Sequence, residues 1–155
     1  LPRDYTTLEE IRVVLLELCE EVGRRSRLKG YVGHTLAVGV RGAGLDPLTG
    51  FWRQTQLPAK TNHGPDLFQT ALKLFTQHWN GHPIRSIGVT LSGLESAHVQ
   101  QLSLFEPTML KKERLNQVVD HLKDKYGPAV ILRAASLTKA GQARERARKI
   151  GGHYK

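Results

Sequence analysis

Two short runs in this sequence alternate apolar residues with small residues and residues able to hold an oxyanion, and a third is polar on both parities. From Thr35 to Arg41, Leu36, Val38 and Val40 alternate with Thr35, Ala37, Gly39 and Arg41. From Ser86 to Ser92, Ile87, Val89 and Leu91 alternate with Ser86, Gly88, Thr90 and Ser92. In the third run, Gln54 and Gln56 share one parity, Arg53 and Thr55 the other. Hydroxyl, amide and guanidinium groups are the donors that contact phosphate and sugar oxygens, and small neighbours let a phosphate backbone approach. Lys60 follows shortly after as a further candidate cation. An apolar partner would instead call for exposed aromatics or leucines on the same parity.

A different chemistry sits at Gln101-Leu102-Ser103-Leu104-Phe105, directly followed by Glu106 and Pro107. Two leucines and a phenylalanine in a polar stretch suit an apolar pocket on a partner, with the Gln101 amide setting orientation. The alternative is a last strand packed on the core, and Pro107 argues against a central one. His78 and His82 have the spacing of a helical metal pair. Gly81 and Pro83 break the helix there and no third ligand is recognisable, so no metal site is assigned. His34, His63 and His98 are expected at the surface or at caps. Gly42-x-Gly44 lacks the rest of a dinucleotide fingerprint and reads as a turn. Cys19 lies inside a helical pattern and is expected to be buried rather than reactive.

These residues need elements to position them. Thr7 and Glu10 form a capping box ahead of Leu8, Ile11, Leu15, Leu18 and Val22, so a helix is expected over 8–25. Period-two alternation from His34 predicts a strand, the glycine-rich 42–50 stretch a connection, and Phe51–Leu57 its returning partner. Pro65 opens a second helix carrying Phe68, Ala71, Leu72, Phe75 and Trp79, stopped by Gly81 and Pro83. A strand with Ile87, Val89 and Leu91 follows. With a short or truncated strand at Leu1–Tyr5, the order becomes βαββαβ, an α+β ferredoxin-like arrangement with helices on one sheet face. The chain is then expected to be an excised piece that begins partway through the first strand. Leu115, Val118, Val119, Leu122 and Tyr126 predict one more helix, closed by Gly127-Pro128, whose apolar stripe needs a docking surface. Val130–Leu132 is a short apolar run of undecided state.

The chain has 155 residues, a net charge of +9 and one cysteine. That length can bury a core without metal or disulfide, and one cysteine excludes an internal disulfide. No apolar run approaches the roughly 20 residues of a membrane span, so a cytoplasmic location is expected. Residues 1–105 hold 11 basic and 9 acidic side chains, whereas 106–155 hold 12 and 5. The excess at the C-terminal end suits a polyanion or a solubilising tail. Arg144, Arg146, Arg148 and Lys149 would form a cationic surface there if helical.

The βαββαβ order, the segment Pro83-Ile-Arg-Ser-Ile-Gly-Val-Thr-Leu-Ser-Gly-Leu94 and the Gln101–Phe105 peptide together resemble the little finger domain of bacterial Y-family translesion DNA polymerases. Arg53-Gln-Thr-Gln-Leu-Pro58 is similar to that family's third-strand region, and Glu145-Arg-Ala-Arg-Lys-Ile-Gly-Gly-His153 resembles tails of its Gram-positive, UmuC/DinB-like branch. The resemblance implies a domain that grips primer-template duplex through its backbone, with Arg41, Arg53, Arg85, Ser86 and Thr90 as contacts beside Thr35, Gln54, Gln56 and Lys60. It implies that Gln101, Leu102, Leu104 and Phe105 bind the bacterial sliding clamp. It places the magnesium-binding catalytic carboxylates in an absent palm domain, so this chain alone is expected to be inactive. The expected division is a little finger at 1–95, a linker at 96–109 and a basic helical tail at 110–155. Ser86 and Thr90 stand where some members carry basic residues, which makes cationic density on the face modest. Two other readings remain: a protein-interaction module without DNA affinity, and a single-stranded RNA binder suggested by Lys29-Gly30-Tyr31-Val32-Gly33. Against the latter, Gly33 replaces an aromatic needed for base stacking.

Overall fold

The Thr7 hydroxyl accepts a hydrogen bond from the Glu10 amide at 3.3 Å, and the Glu10 carboxylate accepts from the Thr6 amide and the Thr7 hydroxyl. These bonds satisfy donors left free at the start of α1, Leu8–Leu28. Glu9 and Glu10 at its start and Arg25 and Arg27 at its end complement the helix dipole. The computed structural model describes residues 1–44, 49–97, 107–150 and 153–154.

After α1 come β1 (Tyr31–Gly42), β2 (Phe51–Thr61), α2 (Gly64–His78), β3 (Ile84–Ser92) and the two-residue β4 (Glu95–Ser96). β1 lies between β2 and β3, antiparallel to both, and β4 pairs with its first residues. The expected first strand is present as one antiparallel bridge from Tyr5 to Ile84, with amide–carbonyl distances of 3.0 and 2.8 Å. The succession is therefore ferredoxin-like βαββαβ, in an α+β domain with α1 and α2 on one face of the sheet.

The core lies between that face and the helices. Leu36 and Val38 of β1 are fully buried with Ile11, Val14 and Leu15 of α1 and Leu67, Ala71 and Phe75 of α2. α1 and α2 approach closely because glycines meet at the crossing. A Cβ on Gly23 would stand 2.6 Å from the Asn62 carbonyl oxygen, and one on Gly64 would stand 3.0 Å from Glu20 Cα. β3 carries a bulge: Arg41 opposes Ser86, but Gly42 opposes Ile84. The extra residue, Arg85, lets Ile84 return to the core side, where it is fully buried.

The C-terminal region consists of α3 (Pro107–Tyr126), a 3₁₀ turn (Ala134–Leu137), α4 (Ala143–Ala147), and a pair of two-residue strands, β5 (Lys149–Ile150) and β6 (His153–Tyr154). α3 is not seated by its full apolar stripe. Arg27 donates from Nε and Nη2 to both Asp120 carboxylate oxygens, at 2.7 and 2.9 Å. Lys112 pairs with Asp66 at 3.0 Å, Arg24 with Asp124 at 2.5 Å, and Asn116 meets the His63 ring. Leu115, Val118 and Tyr126 stay exposed on an adjoining face, while Val119 and Leu122 are half-buried. The ion pairs win because Arg27 and Asp120 are both shielded from solvent, where their attraction is less screened. Val130–Leu132 is irregular, and Ile131 and Leu132 line a cavity beside α1.

Farther along, the tail reaches the core itself. The buried Tyr5 hydroxyl donates to the Ala140 carbonyl at 2.8 Å and accepts from Gln142 Nε2 at 3.1 Å. The buried Glu17 carboxylate accepts from the Gln142 amide and from Arg146, each at 2.8 Å. Residues 98–106, with the whole Gln101–Phe105 peptide and His98, lie outside the described residues.

The two sheet faces should respond differently to truncation. Leu36→Ala is expected to destabilise the fold by about 2–5 kcal/mol in urea unfolding, whereas Thr90→Ala should stay within about 0.5 kcal/mol of the parent. Similar losses from both would mean that the Thr90 face is also packed.

Candidate nucleic-acid interface

Directly opposed residues of paired strands share a sheet face. Thr35 of β1 opposes Gln56 and Ser92, Ala37 opposes Gln54 and Thr90, Gly39 opposes Trp52 and Gly88, and Arg41 opposes Ser86. The same register puts Leu36, Val38 and Val40 opposite Leu91, Val89 and Ile87, on the helix side. On β1 and β3 the helix side is thus apolar, and the opposite face of the sheet displays Thr35, Arg41, Gln54, Gln56, Ser86, Thr90 and Ser92. Arg41, Gln54, Gln56, Thr90 and Ser92 are exposed. Thr35 is half-buried, its hydroxyl 2.8 Å from the His34 ring. Arg41 makes no ion pair among the described residues, and the three strands put no carboxylate on this face.

Three expected contacts are placed differently. Arg53 opposes Val38 and therefore belongs to the helix side, where edge-strand exposure keeps its guanidinium in solvent. The parity that left 51–57 undecided is settled in favour of Gln54 and Gln56. Arg85 is the bulge residue, and its guanidinium pairs with Asp4 through Nε, and through Nη2 at 3.3 Å. That hydrogen-bonded pairing holds the Asp4 carboxyl below its ordinary value and raises Arg85. Lys60 pairs with Glu95 at 2.8 Å, beyond the irregular stretch where Gly33 opposes Thr61. Neither cation is free.

In the tail, helix α4 ends at Ala147, so Arg144, Arg146, Arg148 and Lys149 do not share one helical surface. Arg146 turns inward to Glu17, Arg148 lies 3.6 Å from Glu145, and Arg144 is exposed. Lys149 belongs to β5. His78 Nδ1 donates to the Leu74 carbonyl, and burial pushes the Cys19 thiol up to about 12. His63 precedes α2 without a side-chain capping bond, half-buried against Asn116 of α3.

Trp52 is a residue of this face that the sequence reading left out. It is 57% exposed and sits on the open face opposite Gly39. The parity of Gln54 and Gln56 extends to position 52 and would have found it, had the run been read from its first residue.

The face is about 10 Å across its three strand axes and about 20 Å long from Thr35 to Arg41, by ordinary strand spacing and rise. The impB/mucB/samB family C-terminal domain matches residues 1–104. The chain belongs to that family. This agrees with the little finger resemblance carried by 83–94. The chain is 52% identical over 156 residues to "DNA polymerase IV 2" of Bacillus subtilis, covering 100% of this chain and 38% of that protein. It is 46% identical over 155 residues to "DNA polymerase IV 2" of Halalkalibacterium halodurans, again covering 100% and 38%. "DNA polymerase IV" of Pelotomaculum thermopropionicum is 41% identical over 147 residues, covering 94% and 36%. The chain thus spans less than two-fifths of the length of these relatives.

His63 gives a pH test of how α3 is held. Burial lowers its pKa from 6.5, although Asp66 and the Asn116 hydrogen bond pull upward. The unfolded chain therefore takes up this proton first as pH falls. The His63 contribution is complete above about 6.5, declines below it, and levels off under the folded pKa. Urea midpoints between pH 7.5 and 5 should fall more steeply in the parent than in His63→Gln; identical slopes would exclude this coupling.

Proposed function

We propose that the chain is the DNA-gripping, clamp-tethered C-terminal region of a bacterial translesion DNA polymerase acting in damage bypass at the nucleoid. The observation that carries this reading is the uncovered β1–β2–β3 face, which has hydroxyl and amide donors, an unpaired Arg41 and no carboxylate among its described residues. Its width of about 10 Å fits a major groove about 12 Å across. The donors would reach phosphate and sugar oxygens without reading base edges, so grip is sequence-independent. The relatives' printed names agree with such a role.

Nucleotidyl transfer belongs to the whole protein in this proposal, on magnesium held by palm carboxylates outside residues 1–155. Among the described residues, no three of His, Cys, Asp and Glu come together as a metal-holding group. The clamp assignment rests on the Gln101-Leu102-Ser103-Leu104-Phe105 sequence alone. Leu104 and Phe105 would fill the clamp's apolar pocket, raising the local concentration of a weak duplex binder at the primer end. Among the described residues, no helix is long and apolar enough to cross a membrane.

Mobility-shift titrations of a primer-template duplex at 50 and 200 mM salt test the grip. Affinity should fall steeply with salt, and Arg41→Ala should reduce the log–log salt slope by about one. The double variant Leu104→Ala/Phe105→Ala should lose sliding-clamp binding and keep duplex binding. Absent duplex affinity even at low salt would favour a protein-interaction module. Equal loss of both activities in the double variant would make the peptide part of the fold.

A further inference from the structure

We infer that Trp52 is a sugar–phosphate contact on this face, its indole packing on a deoxyribose of the bound duplex while Nε1–H donates to a neighbouring phosphate oxygen. The inference rests on the proposed grip and names a contact class that no cation or hydroxyl on the face supplies.

The position of the side chain makes the argument. Trp52 begins the alternating set Trp52, Gln54, Gln56, so it shares the open face with Thr35, Arg41, Thr90 and Ser92. The Gly39 backbone brings the indole onto the sheet: a Cβ at position 39 would stand 3.2 Å from Trp52 Cδ1. The plate therefore sits beside the small central residues of β1. At 57% exposure it is a large aromatic left in solvent. Trp79, the only other tryptophan, donates its Nε1–H to the His82 carbonyl at 2.9 Å. Trp52 Nε1–H has no such acceptor among the described residues. An exposed plate with one free donor is amphipathic.

The charge around it selects the occupant. The face carries Arg41 unpaired and no carboxylate among its described residues, within a chain of net charge +9, so a polyanion is attracted. An apolar protein surface would leave Arg41, Gln54, Gln56 and Thr90 desolvated without partners. In a duplex the bases are stacked and only their edges reach the groove, so an indole meets backbone sugars without unstacking anything. A neutral contact releases no counterions, which separates its signature from that of Arg41.

The experiment titrates a blunt hairpin duplex into the chain in a Trp79→Phe background, where fluorescence reports Trp52 alone. Emission should shift or quench on binding. Trp52→Ala should weaken duplex binding by about tenfold at every salt concentration, with the log–log salt slope unchanged. Trp52→Phe, which keeps a plate but loses the donor, should recover part of that loss. Circular dichroism of Trp52→Ala should match the parent, since the side chain is exposed. Unchanged affinity and emission, with the parent still binding, would overturn the inference and leave the grip standing. No binding by the parent at low salt would instead defeat the grip. A larger Trp52→Ala loss on single strands than on duplex would mean base stacking and would also overturn it.

Discussion

Leu36, Val38 and Val40 can all be buried only while β1 keeps one register against both β2 and β3. β1 is flanked on both sides, and its alternation has period two. A slip of one residue would turn all three side chains toward solvent and drive Thr35 and Arg41 beneath the helices. The helices enforce the register from above, through Ile11, Val14, Leu15, Ala71 and Phe75, and the ladders enforce it from the sides. The donor-rich face is the other consequence of that same alternation. Stability and the candidate binding surface are thus two faces of one strand.

That arrangement limits how much charge the face offers. Arg85 is displaced by the bulge and neutralised by Asp4, Lys60 is held by Glu95, and Arg53 falls on the helix side opposite Val38. Among the described residues, Arg41 makes no ion pair. Grip on such a surface would come from several neutral donors and the field of the whole chain, rather than from a dense cationic row. A weak, salt-sensitive and sequence-independent hold suits a module that needs a second attachment. The Gln101–Phe105 peptide would supply one by raising effective concentration.

Much of this was legible in the sequence because the signals were periodic. The capping box at Thr7–Glu10, the alternation at 35–41 and 86–92, and Pro65 at the start of α2 each correspond to a local rule, and each marks an observed element. What escaped depended on partners distant in sequence. Arg85 has the same residue type as Arg41, but only its bulge and the approach of Asp4, 81 residues away, reveal that it is occupied. The apolar stripe of α3 suggested hydrophobic docking, yet Arg27 and Asp120, 93 residues apart, seat the helix through charge. Tyr5 was read as the end of a truncated strand; its hydroxyl ties the tail to the core, which no local pattern encodes.

The most direct test is to map backbone amide shifts of isotope-labelled chain as a primer-template duplex is added at low salt. The account predicts the largest changes at Thr35–Arg41, Trp52–Gln56 and Ser86–Ser92, with alternate residues most affected. Changes concentrated on the outer surfaces of α1 and α2, with the open strands silent, would contradict it.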